Sequence, residues 1–194
     1  SLPLSTIVKA NETPPNVIDY ACGAGHFLTE LASQLEPIVK ANNPKLPIDN
    51  YHSSILGIEK EYRLSKVAKV SAFMYGQQGI QICYGDGLVQ EHTGFPEIRE
   101  GNFDILIANP PYSVKGFLET LPDADRSKYD IEGTIKDAEA ASGIETFFIE
   151  RAKQLLRPNG VAAIILPSSI LSNGGQNYIA AREIILKYFE IISI

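Results

Sequence analysis

Four consecutive residues, Asn109-Pro110-Pro111-Tyr112, stand directly after the apolar run Phe103 to Ala108. Each proline fixes φ and lacks a backbone N–H. The carbonyls of Asn109 and Pro110 are thereby free of any continuing ladder. The Asn109 side chain brings an amide oxygen to the same place, and Tyr112 brings a flat ring. An amide oxygen and a rigid carbonyl accept both N–H groups of one planar amine, and an adjacent ring stacks on the base that carries it. The plainer alternative is a rigid turn with an exposed tyrosine, which leaves the position after an apolar strand unexplained.

A second cluster lies upstream in Asp19-Tyr20-Ala21-Cys22-Gly23-Ala24-Gly25. A strand ends at Asp19, and Gly23 and Gly25 turn the chain into a helix. Glycine lets the backbone take positive φ and approach a ligand closely. As a dinucleotide fingerprint the pattern is incomplete, because the third glycine falls on Leu28. Two further carboxylates end the next strands: Glu59 closes Ile55 to Glu59, and Asp86 follows Ile80 to Tyr84. In a parallel sheet such ends point into one crevice. One carboxylate there accepts the hydroxyls of a ribose, and another accepts an exocyclic amino group.

The elements that must position these residues alternate short apolar runs with amphipathic helices, which predicts an α/β fold with a mostly parallel sheet. Strands are expected at Val17 to Tyr20, Ile55 to Glu59, Ile80 to Tyr84, Phe103 to Ala108, Val161 to Leu166 and Glu190 to Ile194. The first helix begins near Gly25, and Pro37 is expected to kink it or end its regular part. Asn42 to Ser53 reads as a loop. The next helix is expected to bury Leu64, Val67, Ala68, Ser71, Ala72 and Tyr75, with Gly76 as its C-terminal cap. A later helix carries Ile144, Phe147, Phe148, Ala152 and Leu155, and a last one runs near Gln176 to Phe189. Ser113 to Gly143 holds four basic and seven acidic residues and reads as a flexible loop or lid. The chain ends inside an apolar run, which suggests a single catalytic domain, 1–194, cut from a longer protein.

The chain has 194 residues and a net charge of −6. That balance argues against a free-standing nucleic-acid binder, whose phosphate contacts need clustered Lys and Arg. No run approaches the length of a membrane span, and no export signal opens the chain. Two cysteines rule out a disulfide framework and suit a reducing compartment. Cys22 and Cys83 read as small buried thiols, and Phe147-Phe148 as core. His26, His52 and His92 have no ligand spacing, so no metal is expected.

Together, Asp19 to Gly25, Glu59, Asp86, Asn109 to Tyr112 and the stretch Glu145 to Arg182 resemble the S-adenosylmethionine-dependent N6-adenine DNA methyltransferases. The closest likeness is to the modification subunit or domain of type I or fused single-chain restriction–modification systems. The resemblance implies a Rossmann-like, doubly wound sheet, truncated here near its sixth strand. It implies a cofactor pocket lined by Asp19, Ala21, Cys22, Gly23 and Gly25, with Glu59 on the ribose, Asp86 on the adenine amine and Leu88 over the ring. Asn109 and Pro110 then bind the target N6 amine, Pro111 stiffens the loop and Tyr112 stacks on a flipped base. Implied partners are double-stranded DNA, reached through a recognition domain or specificity subunit outside this chain, and a restriction subunit. A cytoplasmic location follows from the same likeness. Tyr20 stands where the family often has proline and His26 where a small residue is usual. Ser1 to Ala10 reads as a remnant of the motif that packs on the cofactor's methionine end. The four-residue motif is shared by enzymes acting on a protein glutamine amide or an RNA guanine amine. A catalytically silent scaffold and a nicotinamide-dependent oxidoreductase are the readings from other classes.

Overall fold

The computed structural model describes residues 13–135 and 143–194. Ser1 to Ala10 and Lys136 lie outside the described residues. Five strands form one parallel sheet: β1 (Val17–Asp19), β2 (Ile55–Glu59), β3 (Gln81–Tyr84), β4 (Phe103–Ala108) and β5 (Leu156–Ile164), in the order β3-β2-β1-β4-β5. The order reverses between β1 and β4. A crevice at the carboxyl ends of the strands belongs at that reversal. Asp19 and Asn109 stand on its two sides, at or just past the ends of β1 and β4.

The central strands are apolar because helices cover both faces of the sheet. On one face, α1 (His26–Asn42) packs Leu28, Ala32, Leu35 and Val39 against Val17, Ile55 and Ile105. It runs on through Pro37 to Asn42. Buried Leu35 and Val39 hold both halves to the sheet, so the proline does not end the helix. The expected loop after it contains α2 (Ile48–His52), fixed by Tyr51, whose buried hydroxyl donates to the Ala32 carbonyl at 2.8 Å.

Helix α3 (Tyr62–Met74) starts on Glu61, whose carboxylate accepts the N–H groups of Arg63 and Leu64. It ends on Gly76, φ 71°, with Gln77 N–H donating to the Ala72 carbonyl and Gly76 N–H to the Phe73 carbonyl. The cap is as the sequence predicts, and the buried face is so only at Ala68 and Ala72. Ser65, Ala68 and Ala72 face inward, whereas Leu64, Val67 and Tyr75 are exposed. The small side chains win because α1 starts close by: a Cβ on Gly25 would lie 3.2 Å from that of Ala68.

On the other face lie α5 (Ile144–Leu155) and α7 (Gln176–Tyr188). Between β4 and α5 the expected loop is folded: α4 (Asp123–Arg126) sits between two 3-10 turns, Phe117–Thr120 and Asp130–Thr134. Phe117, Leu118, Leu121, Tyr129 and Ile131 are buried in the core beside Phe147 and Phe148. Those few apolar residues suffice to anchor 113–135.

Strand β5 starts five residues earlier than Val161. Phe103 pairs with Leu156 and Ile105 with Val161, so Pro158-Asn159-Gly160 forms a bulge inside the strand. Asn159 takes φ 66° there. After β5 a single turn, α6 (Ser169–Ser172), precedes α7. Glu190 to Ile194 is not a strand. Its apolar run is present, but its backbone joins no ladder, and Ile191, Ile192 and Ile194 are exposed. Among the described residues, no helix is long and apolar enough to cross a membrane.

Candidate functional site

The site assembles around the β1–β4 reversal. Asp19 is 1% exposed, and its Oδ1 accepts the Ala21 N–H at 2.9 Å. Burial pushes its carboxyl pKa up to about 7, against the pull of that N–H and with help from the charge of Glu59. Ala21 is half-buried and Cys22 is buried. Burial also pushes the Cys22 thiol well up, so it stays a neutral thiol. Gly23 takes φ 55° and Gly25 φ 84°. A Cβ on Gly23 would meet nothing within 4 Å, so the space above this turn is open.

Glu59 closes the other side of the turn. Its Oε2 accepts the Gly23 N–H at 2.8 Å and its Oε1 the Glu61 N–H at 2.6 Å. Asp86 receives the Leu88 N–H on Oδ1 at 3.0 Å and the Lys60 ammonium on Oδ2 at 2.7 Å. Carboxylate oxygens carry further lone pairs, so both groups retain acceptor capacity. The Lys60–Asp86 pair is largely solvated on its lysine side and holds weakly.

Leu88 differs from its expected place over a ring. It is 2% exposed within the core cluster, and its carbonyl accepts the Tyr129 hydroxyl at 2.6 Å. Gly87 beside it is indispensable, since a Cβ there would collide with the Tyr20 carbonyl and meet Phe148 at 3.3 Å. Gly87→Ala is expected to cost about 1–3 kcal/mol through overpacking and to displace Asp86. Urea unfolding of the variant checks this.

Across the reversal, Asn109 is exposed and Pro110 is buried. Tyr112 is 37% exposed. Its hydroxyl has two acceptors, Asn109 Oδ1 at 2.5 Å and the Ile165 carbonyl at 2.9 Å. One hydrogen serves only one of them at a time. The Asn109 oxygen has two lone pairs, so it can accept a further donor beside this hydroxyl. Burial, with the Glu145 charge, raises the Tyr112 pKa, so the hydroxyl remains a donor. The loop is pinned in front by Ile165 N–H donating to the Ala108 carbonyl at 2.9 Å.

A model of the N-6 DNA methylases matches residues 4–190. The chain belongs to that family. It is 29% identical over 114 residues to the type I restriction enzyme MjaVII methylase subunit of Methanocaldococcus jannaschii, covering 57% of this chain and 17% of that protein. It is 27% identical over 185 residues to the tRNA1(Val) (adenine(37)-N6)-methyltransferase of Shewanella frigidimarina, covering 92% of this chain and 62% of that protein. The chain thus spans less than two thirds of either relative. The fold matches a Listeria monocytogenes protein assigned to the class I S-adenosylmethionine-dependent methyltransferases, with TM-score 0.66 and 19% identity over 95% of this chain and 49% of that one.

In this N-6 DNA methylase-family chain, α5 supplies several of the residues that hold the site's loops; its sequence stood out for an apolar stripe and for its part in the Glu145 to Arg182 likeness, with no role seen for its polar side chains. Five of its polar side chains are buried: Glu145, Thr146, Glu150, Arg151 and Gln154. Glu150 accepts the N–H groups of Asp130 and Ile131 at 2.8 and 3.0 Å. Arg151, with no exposed surface, donates to the Gly87 carbonyl at 3.2 Å, the Val89 carbonyl at 2.9 Å and the Gln90 side chain. It fixes the stretch that follows Asp86. Gln154 donates to the Lys128 carbonyl at 2.9 Å. The signal in the sequence was a dense run of charged residues inside a strongly apolar helix, and buried charges occur only where they are bonded.

Proposed function

We propose that this chain is the methyl-transfer part of a longer DNA modification enzyme, acting from S-adenosylmethionine on the N6 amine of adenine. The observation that carries this reading is the pairing, across one strand reversal, of an exposed Asn109 amide oxygen with an open glycine turn flanked by carboxylates. Asp19, Ala21, Cys22, Gly23 and Gly25 line the cofactor's place. Glu59 accepts the ribose hydroxyls and Asp86 the adenine amine. Asp19 faces the cationic end. Bound there, the cofactor supplies an electrophilic methyl group on a sulfonium.

The N6 lone pair of adenine is delocalised into the ring, which makes it a poor nucleophile. Asn109 Oδ1 and the Pro110 carbonyl accept its two hydrogens and favour a pyramidal nitrogen. Pro111 keeps the loop stiff, and the Tyr112 ring stacks on the base once it has left its helix. The surplus proton of the methylated amine leaves along the same acceptors to solvent. Catalysis is therefore positioning and electrostatics. Double-stranded DNA is gripped by a recognition domain or specificity subunit outside the chain, with a restriction subunit attached to the same assembly in the cytoplasm.

The test is methyl transfer by the full-length protein to unmethylated DNA, with the product nucleoside read by mass spectrometry. N6-methyladenine in DNA supports the reading. Label found only in structured RNA favours a tRNA adenine as substrate, a second reading motivated by the relative that covers 92% of this chain. Cofactor binding without transfer to either points to a silent scaffold.

A further inference from the structure

Glu145 opens α5 with no exposed surface, and among the described residues no Lys or Arg is paired with it. A buried carboxylate without a cation is costly unless hydrogen bonds hold it. Two do. Its Oε2 accepts the Ser113 N–H at 3.0 Å, and its Oε1 accepts the Tyr178 hydroxyl at 2.7 Å. Ser113 is the residue immediately after Asn109-Pro110-Pro111-Tyr112. It takes φ 54°, a left-handed conformation that is unfavourable for a side-chain-bearing residue. The loop is thus tied in front at Ala108, along its length by the Tyr112 hydroxyl to Ile165, and behind at Ser113 by the Glu145 carboxylate. Tyr178 comes from α7, so the carboxylate also joins that helix to the loop.

Resting on the function proposed above, we infer that Glu145 is a positioning residue for the target amine: it holds Ser113 in its strained turn and so fixes where Asn109 Oδ1 and the Pro110 carbonyl point. Without it, the part-buried Ser113 N–H loses its acceptor and the left-handed turn loses its restraint. The loop then relaxes toward ordinary backbone angles, and the two acceptors no longer converge. Glutamine at the same position keeps an oxygen for Ser113 and turns its amide N–H to the Tyr178 oxygen, which accepts. The anchor therefore needs the acceptor atom, not the charge.

Two readouts in the full-length protein test this. The first is independent of activity: amide hydrogen exchange at Ser113. Exchange accelerates in Glu145→Ala, stays slow in Glu145→Gln, and is unchanged in both at Leu88. The second is kinetic. Glu145→Ala lowers kcat on DNA by on the order of 100-fold, the scale of a misplacement of about 1 Å, while S-adenosylmethionine affinity holds. Glu145→Gln retains most of the turnover. Should the alanine variant not fold, Tyr178→Phe takes its place, with faster Ser113 exchange than wild type and a smaller loss of kcat. Unchanged Ser113 exchange in the alanine or phenylalanine variant overturns the inference. So does a glutamine variant as impaired as alanine. A wild type that methylates nothing refutes the function proposed above while the exchange result still decides the anchor.

Discussion

Replacing Asn109 by alanine is expected to reduce kcat for methyl transfer by about 10²–10³, the loss typical when one preorganised polar contact to the reacting group is removed. The side chain stands exposed past β4, and in the free protein its oxygen meets only the Tyr112 hydroxyl. Its removal leaves no buried group unpaired, so stability changes little. Cofactor affinity is expected to hold as well, because the residues proposed for the cofactor, Gly23, Glu59 and Asp86, lie on the β1, β2 and β3 side of the reversal. Single-turnover transfer beside a calorimetric cofactor titration separates the two effects. A variant that transfers at the wild-type rate would remove Asn109 from the chemistry. A variant that loses cofactor binding as well would mean the two halves of the crevice are coupled.

The candidate site's motifs were legible because their chemistry is local. Two prolines after an apolar strand, two glycines after another and a carboxylate at each of two further strand ends are all visible in the order of residues. Strands β2 and β4 matched their apolar runs end to end for the same reason. What the sequence hid was set by long-range packing. Helix α3 carries two apolar stripes, and only the approach of Gly25 selects the small one. Pro158-Asn159-Gly160 has the composition of a turn, yet β4 supplies a partner on both sides of it. Glu190 to Ile194 has a strand's apolar run and, among the described residues, pairs with no strand. Leu88 follows a site carboxylate but points into the core, because Gly87 lets its loop press against Tyr20. The charges of α5 look solvated in one dimension. In three they carry the loops that hold the exposed residues, so the visible half of the site rests on a half that only the fold reveals.

Asp19 gives the second large effect, and its sign is opposite to that of an ordinary salt-bridged carboxylate. Its pKa rises from 3.8 to about 7 on folding, chiefly through burial. Below about pH 4 the folded and unfolded chains both hold the proton, and above about 7 neither does. Between these values the unfolded chain ionises first and binds fewer protons. Stability therefore falls as pH rises through this window, by on the order of 4 kcal/mol for one such group. Asparagine reproduces the neutral acid: its oxygen still accepts the Ala21 N–H. Asp19→Asn is thus expected to match the wild type near pH 4 and to be several kcal/mol more stable near pH 8, as read by urea unfolding at each pH. A carboxylate this costly persists where a cation meets it. The wild type should then release close to one proton on binding S-adenosylmethionine near pH 6, measured by calorimetry in buffers of different ionisation enthalpy, and the asparagine variant should release none and bind more weakly. Equal affinity in the two proteins would assign Asp19 to the turn alone, through Ala21, and separate its stability cost from any role toward the cofactor.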